Sequence, residues 1–116
     1  MIRQGDIVLL PFPYTDLSLK EVRPALVVSS DGFNSQGEDV IFAYITKKTY
    51  NGPYDILIDV NNPSFSGTGL KYTSTVRMGK LMCLKKQSIA RRLGHVGADT
   101  LVQTKSALKA LFGLAK

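Results

Sequence analysis

The chain has 116 residues, of which 44% are hydrophobic and 21% charged, and its net charge is +6. This length fits a single domain, residues 1–116, that buries roughly two-thirds of its unfolded surface. A single cysteine excludes an internal disulfide, and no Cys/His cluster provides a zinc site. No apolar run approaches the ~20 residues of a membrane span, and the N-terminus lacks a signal-peptide pattern. We therefore expect a soluble, cytoplasmic protein with no membrane segment, metal or cofactor.

The positive charge is concentrated in the second half of the chain. Residues 1–58 carry five cations and seven anions, whereas residues 59–116 carry ten cations and two anions. Residues 71–92 hold seven cations and no acid. Such a segment is typical of a protein with a polyanionic partner, nucleic acid above all. On charge alone, a well-solvated face that like charge keeps soluble is an equal alternative.

Apolar residues alternate along the first two-thirds of the chain, which predicts β-strands. The third of these has apolar residues on both faces and is predicted to be central, whereas the fourth, after an Asn-Gly-Pro turn, has one wet face. The last predicted segment is either one strand or a pair of strands, and Gly79 in its middle predicts a bend or bulge. The predicted strands cover residues 6–12, 25–29, 40–45, 55–60 and 73–84.

The apolar period becomes helical near the C-terminus. Residues 97–100, Gly-Ala-Asp-Thr, supply the N-terminal cap, and Thr100 and Gln103 have the spacing of a capping box. Gly113 suits the end of a helix. Several short strands followed by one helix indicate a mainly β protein, a small barrel with a helix packed on it. The residues at helical spacing are Leu101, Leu108, Leu111 and Phe112.

Five segments, in this order, resemble one known family. They are Gly5–Leu10 with Arg23–Ser29, Ala43–Thr46, Gly69–Arg77, Arg92–Val96 and Ala107–Leu114. The first reads Gly-Asp-Ile-Val-Leu-Leu followed by Arg-Pro-Ala-Leu-Val-Val-Ser, and the second ends in Ile-Thr. The chain thereby resembles the MazF/PemK family, the toxins of bacterial toxin–antitoxin pairs.

This resemblance implies an SH3-like barrel with a C-terminal helix, which assembles as a homodimer and is inhibited by a cognate antitoxin protein. It also implies sequence-specific, metal-independent cleavage of single-stranded RNA, mRNA in the cell. In that reaction the ribose 2′-oxygen attacks the adjacent phosphorus and leaves a 2′,3′-cyclic phosphate and a 5′-hydroxyl. The reaction requires a general base, a general acid and donors that stabilise the charge of the phosphorane.

Three residues match the family's site and are the candidate catalytic residues. Arg23 precedes Pro24, and its guanidinium offers a planar fork of donors to phosphate oxygens. Thr46 ends the third strand, and its hydroxyl could hold a phosphate oxygen or the 2′-hydroxyl. Arg77 matches an arginine that some members use in or beside the acid step, and charge stabilisation suits its permanent charge better than proton donation. The lysines predicted to bind RNA are Lys47, Lys80, Lys85 and Lys86.

The chain departs from the family two residues after Arg77. Better-studied relatives carry Asp-Gln there, the aspartate being a proposed base, whereas this chain has Gly79 and Lys80. The general base is therefore unassigned, and a weak enzyme is consistent with the sequence. Asp16 and Glu21 in the first loop are the nearest alternative carboxylates in sequence. His95 falls where the family has no catalytic residue, which favours a structural role.

Two other functions compete with the ribonuclease. A CcdB-like toxin shares this barrel but acts by binding DNA gyrase through its C-terminal residues, and the chain's last residues carry no distinctive signature for that. A non-catalytic RNA-binding barrel is the second alternative, which the missing carboxylate at Gly79 supports.

Overall fold

The computed structural model describes residues 1–11 and 22–114. In this part of the chain six strands form one curled antiparallel sheet, a half-barrel, in the order β4-β5-β3-β2-β1-β6. The mainly β class with a C-terminal helix is thus confirmed. No helix of the described residues is long and apolar enough to cross a membrane. The elements are β1 Asp6–Pro11, β2 Val22–Val27, α1 Asp31–Gln36, β3 Asp39–Thr46, β4 Asp55–Ile58, β5 Ser74–Lys85, β6 Arg91–His95 and α2 Ala98–Leu111.

Strand β3 is central and is covered on both faces, as its two apolar faces predict. Ala43 and Ile45 belong to one buried cluster, which also takes residues from β1, β2, β4 and β5 and lies under α2. Val40 and Phe42 belong to a second cluster on the opposite face. Successive side chains of a strand point to opposite faces, so one apolar strand contributes to both clusters.

Strands β2 and β4 differ in length from the prediction. Strand β2 begins at Val22 rather than Ala25, because Pro24 lies opposite Leu9 of β1 in a position where it need not donate to the ladder. Strand β4 has the predicted wet face, with Leu57 half exposed. It ends at Ile58, however, and Val60 lies beyond it and is 50% exposed.

Strand β5 is a single strand with a bulge, which confirms the predicted irregularity at Gly79. Tyr44 of β3 lies opposite Arg77, but the preceding residue, Ala43, lies opposite Leu81. The residues between, 78–80, are the extra length of β5, and the backbone of Gly79 is not in the left-handed region. The bulge separates the first part of β5, which pairs with β4, from its second part.

Two elements were not predicted from the sequence, because both are too short to show a clear repeat of apolar residues. They are the short helix α1, whose N-terminus is capped by the hydroxyl of Ser30, and strand β6. A short 3-10 helix, Phe65–Thr68, packs against β6. This contact requires glycine, because a Cβ on Gly94 would overlap the backbone of residues 67 and 68.

Helix α2 begins within the predicted cap segment 97–100 and ends as predicted, but the predicted capping interaction is not formed. Its N-cap is Gly97 and uses no side-chain hydrogen bond, so the capping box at Thr100 and Gln103 is wrong; Thr100 is buried inside the helix. The predicted apolar face is also partly wrong, since Phe112 is 60% exposed. Gly113, at φ +70°, ends the helix, and the next amide donates to the carbonyl of Lys109 as in a Schellman motif.

Candidate functional site

A pocket of about 530 Å³ opens between the first residues of β2, the last residues of β3, residues 69–72 and the first residues of β6. Its apolar lining residues include Leu9, Ile45 and Leu93. No carboxylate of the described residues lines it. Since cations outnumber anions among the described residues that line it, the pocket favours an anion. Its five cationic residues are Arg23, Lys47, Lys48, Lys71 and Arg91.

Arg23 enters this pocket from the beginning of β2. The extended conformation before Pro24 keeps the residue in the strand, opposite Leu10 of β1. Its side chain is half-buried, and one Nη donates a hydrogen bond to the hydroxyl of Tyr44, 3.2 Å away. The hydroxyl of Tyr44 helps to fix the direction of the guanidinium.

Thr46 lines the same pocket from the last position of β3. Its hydroxyl oxygen accepts a hydrogen bond from the backbone N–H of Lys48 at 3.2 Å, so it fixes the turn that follows the strand. The ammonium group of Lys47 lies 5.0 Å from the centre of the Tyr72 ring, which also lines the pocket and is 59% exposed. The structure therefore brings Arg23, Thr46 and Lys47 together.

Arg77 does not line the pocket. In β5 it lies opposite Tyr44 of β3 on one side and Asp55 of β4 on the other. Its Nε donates to a carboxylate oxygen of Asp55 at 2.8 Å, and its guanidinium stacks 3.7 Å from the centre of the Tyr50 ring. Tyr44 thus separates the two arginines that the sequence placed in one site.

Sequence reasoning missed two contributors to this region, Asp55 and Tyr44. The alternation of β4 did put Asp55 on the wet face, but only the strand register puts it opposite Arg77. Tyr44 stands in the Ala-Tyr-Ile-Thr segment without a distinguishing signal of its own. The two acids considered as bases, Asp16 and Glu21, lie outside the described residues.

The remaining predicted lysines lie outside the pocket. Lys80 is exposed in the bulge of β5. Lys85, also exposed, pairs with Asp39, which is at the opposite end of β3 from Thr46. Lys86 follows it in a short 3-10 helix. Their contact with RNA stays a prediction.

His95 has a structural position, as predicted. One ring nitrogen lies 2.7 Å from the carbonyl oxygen of Val96 and the other 3.1 Å from that of Gln4. The ring therefore ties the end of β6 to the N-terminal residues. Among the described residues, no three His, Cys, Asp or Glu side chains are close enough to hold a metal ion.

Comparison with known proteins gives the family. An endoribonuclease in complex with its cognate antitoxin from Mycobacterial species superposes with a TM-score of 0.80, at 21% identity, over 100% of this chain and 99% of that one. MazF from Deinococcus radiodurans gives 0.73 at 22% identity over 97% and 96%. Residues 3–112 match the model of the PemK-like, MazF-like toxins of type II toxin–antitoxin systems. The chain belongs to this family.

A curated relative supports the same assignment. The probable endoribonuclease MazF of Mycolicibacterium smegmatis is 25% identical over 93 residues, which are 80% of this chain and 82% of the relative. The structural likenesses stand at about the same low identity, so they show the fold of a MazF-like toxin. The resemblance inferred from the five sequence segments is confirmed.

Proposed function

We propose that this MazF-like toxin is an endoribonuclease that cleaves single-stranded RNA at specific sequences. The observation that carries the proposal is the pocket, in which the two family-matched residues Arg23 and Thr46 lie with four further cations and no carboxylate of the described residues. Phosphodiester backbones are the common polyanions that such a pocket accepts. The relatives named as endoribonucleases support the choice of RNA.

The pocket residues suit cleavage by the 2′-hydroxyl. Arg23 donates through its guanidinium to the non-bridging oxygens of the scissile phosphate, where negative charge grows as the phosphorane forms. Thr46 holds the 2′-hydroxyl or a phosphate oxygen. The 2′-hydroxyl gives its proton to a general base as its oxygen bonds to phosphorus. The bond from phosphorus to the 5′-oxygen breaks, and that oxygen takes up a proton from a general acid or from water. Asp16 and Glu21 remain the candidate general bases.

The partners follow from the same proposal. Besides RNA, the toxin binds a cognate antitoxin protein, as an endoribonuclease from Mycobacterial species does. MazF of Deinococcus radiodurans likewise forms a complex with MazE. We also expect the toxin to assemble as a homodimer in the cytoplasm. A peptide that blocks the pocket needs acidic or apolar side chains, because cations and apolar residues line the pocket together.

The experiment is cleavage of end-labelled RNA by the pure protein in the presence of EDTA. We expect fragments with 5′-hydroxyl and 2′,3′-cyclic phosphate ends, and a rate at least about 100-fold lower for Arg23→Ala, the loss typical of a removed charge-stabilising donor. Lys105→Ala, an exposed lysine of α2, is the matched control and should cleave as the native protein does. Circular dichroism checks that both variants fold.

Three results would contradict the proposal. They are products with 5′-phosphate ends, activity abolished by EDTA, and full activity of Arg23→Ala. Tight binding of RNA without any cleavage would instead support the non-catalytic barrel, which is favoured by one observation, the glycine at the position where better-studied relatives carry aspartate.

A further inference from the structure

Tyr44 lies on the same face of the sheet as Arg23 and Thr46. Side chains at alternate positions of a strand share a face, so Tyr44 and Thr46 of β3 lie on the face of Phe42, which belongs to the second buried cluster. Ala25 of β2, directly opposite Tyr44, belongs to the same cluster, and Arg23 stands two residues before it. One face of the sheet therefore carries a phenol beside the two family-matched residues of the pocket.

The hydroxyl of Tyr44 reaches Arg23 diagonally across the two strands. Diagonal neighbours in a sheet are within reach of long side chains, and one Nη of Arg23 donates to the phenol oxygen at 3.2 Å. This contact uses a lone pair of the oxygen and not its hydrogen, because a phenol both accepts and donates. A phosphate oxygen bound to the same guanidinium lies about 3 Å from it. A phosphate held by Arg23 is therefore a close neighbour of the Tyr44 hydroxyl.

Cleavage by the 2′-hydroxyl requires a proton donor for the departing 5′-oxygen. Arginine does not give up its proton in proteins, so Arg23 does not suit this step. The alcohol of Thr46 is a much weaker acid than a phenol. A phenol carries its proton at neutral pH and is one of the side-chain groups that act as general acids. Of these three side chains, Tyr44 has the chemistry of an acid catalyst.

The contact with Arg23 also suits the charge that proton transfer creates on the phenol oxygen. Hydrogen bonds are stronger when the donor and the acceptor are both charged, so this contact strengthens as the proton leaves Tyr44. Arg77 lies opposite Tyr44 in β5, but Asp55 offsets its charge. We therefore assign the stabilisation of the phenolate to Arg23.

We propose that Tyr44 is the general acid of the cleavage step, an assignment that rests on the proposed function. As the 2′-oxygen bonds to phosphorus, the O–H bond of Tyr44 breaks and its proton passes to the 5′-oxygen, which keeps the electron pair of the broken P–O bond. The proton of the 2′-hydroxyl goes to the general base and from there to water. The phenolate takes a proton from water before the next turnover, so the protons balance.

The test compares two RNA substrates that differ only in the leaving group. Both are synthetic oligoribonucleotides of one sequence, chosen as a cleavage site that the native protein uses in end-labelled RNA. In the second, a sulfur atom replaces the bridging 5′-oxygen at the scissile bond. A thiolate is a far weaker base than an alkoxide and leaves without taking up a proton. Removal of a general acid should therefore slow cleavage of the oxygen substrate alone.

We expect Tyr44→Phe, which removes the hydroxyl and keeps the ring, to lower kcat for the oxygen substrate about 100-fold or more, the usual contribution of a general acid. For the sulfur substrate, kcat should stay within about fivefold of the native value. Arg23→Ala should slow both substrates, because it removes charge stabilisation from the phosphate oxygens in either case. Tyr54→Phe, the same change at an exposed tyrosine, is the matched control and should cleave both substrates as the native protein does.

The ratio of the two rates is independent of folding, since a misfolded fraction lowers both rates by the same factor. An equal loss on both substrates would overturn the assignment and leave Tyr44 as a positioning residue for Arg23. Native kcat of Tyr44→Phe on the oxygen substrate would overturn it as well. If the native protein cleaves no labelled RNA, the proposed function itself fails, and this assignment fails with it.

Discussion

Gly79 occupies the position at which the sequence resemblance implies an aspartate. Its backbone is not in the left-handed region, and the space where a side chain would project is empty. A larger residue therefore fits without strain. The glycine is not required by the bulge itself, so the family's carboxylate could be restored there.

We expect Gly79→Asp to fold and to raise kcat modestly, because a general base contributes typically about 10²–10⁴-fold and this position lacks one. Gly79→Asn, which has the same shape without the charge, is the matched control and should not raise kcat. The measurement is single-turnover cleavage of saturating RNA, with circular dichroism as the check on folding. A folded Gly79→Asp enzyme with unchanged or lower kcat would refute the idea of a vacant base position.

At the level of elements, the contact between β6 and the 3-10 helix Phe65–Thr68 holds one wall of the pocket. Gly94 lies against the backbone of Gly67 and Thr68, and Gly69, at φ +75°, lies against Leu93. The residues that follow Gly69 and those that begin β6 line the pocket. Close packing of two backbones thus positions cations that are distant in sequence.

We expect Gly94→Ala to destabilise the protein by about 1–3 kcal/mol, the usual cost of overpacking, and to lower Tm by several degrees. Gly37→Ala is the control, since nothing lies within 4 Å of its Cβ position and its backbone is extended; its stability should stay within about 0.5 kcal/mol of the native value. The measurement is the Tm of each variant, from thermal unfolding monitored by circular dichroism. Equal Tm values for the two variants would show that this backbone contact is not tight.

At the level of the whole molecule, the described residues leave several large apolar side chains uncovered near the C-terminus. Val102 on α2 is 67% exposed, and Phe112, the residue after that helix, is 60% exposed. A protein–protein contact at this surface would bury them.

We therefore expect a homodimer, most simply with an isologous interface. Light scattering at micromolar concentration should give about twice the chain mass of 12.7 kDa, and dilution should dissociate the dimer. A mass of 12.7 kDa throughout the micromolar range would contradict this expectation.

The sequence by itself determined the elements that depend on local pattern. Period-two alternation located β1 to β5, because burial of a strand face repeats every second residue, and Gly113 marked the end of α2 because only glycine readily adopts a positive φ. Local motifs also singled out Arg23 and Thr46, which the structure places in one pocket. Their role in catalysis stays a prediction. The capping box at Thr100 failed because burial of that residue in the core outweighed its local capping preference.

Only the tertiary structure decided which charges meet. The pocket combines Lys47 and Lys48, from the acidic half of the sequence, with Lys71 and Arg91 from the basic half. The pairing of Arg77 with Asp55, 22 residues away, likewise follows from the register of β4 against β5. Alternation fixes which face a side chain occupies, but the residue that lies beside it on the next strand depends on register, bulges and strand order, and these are set by packing of the whole sheet.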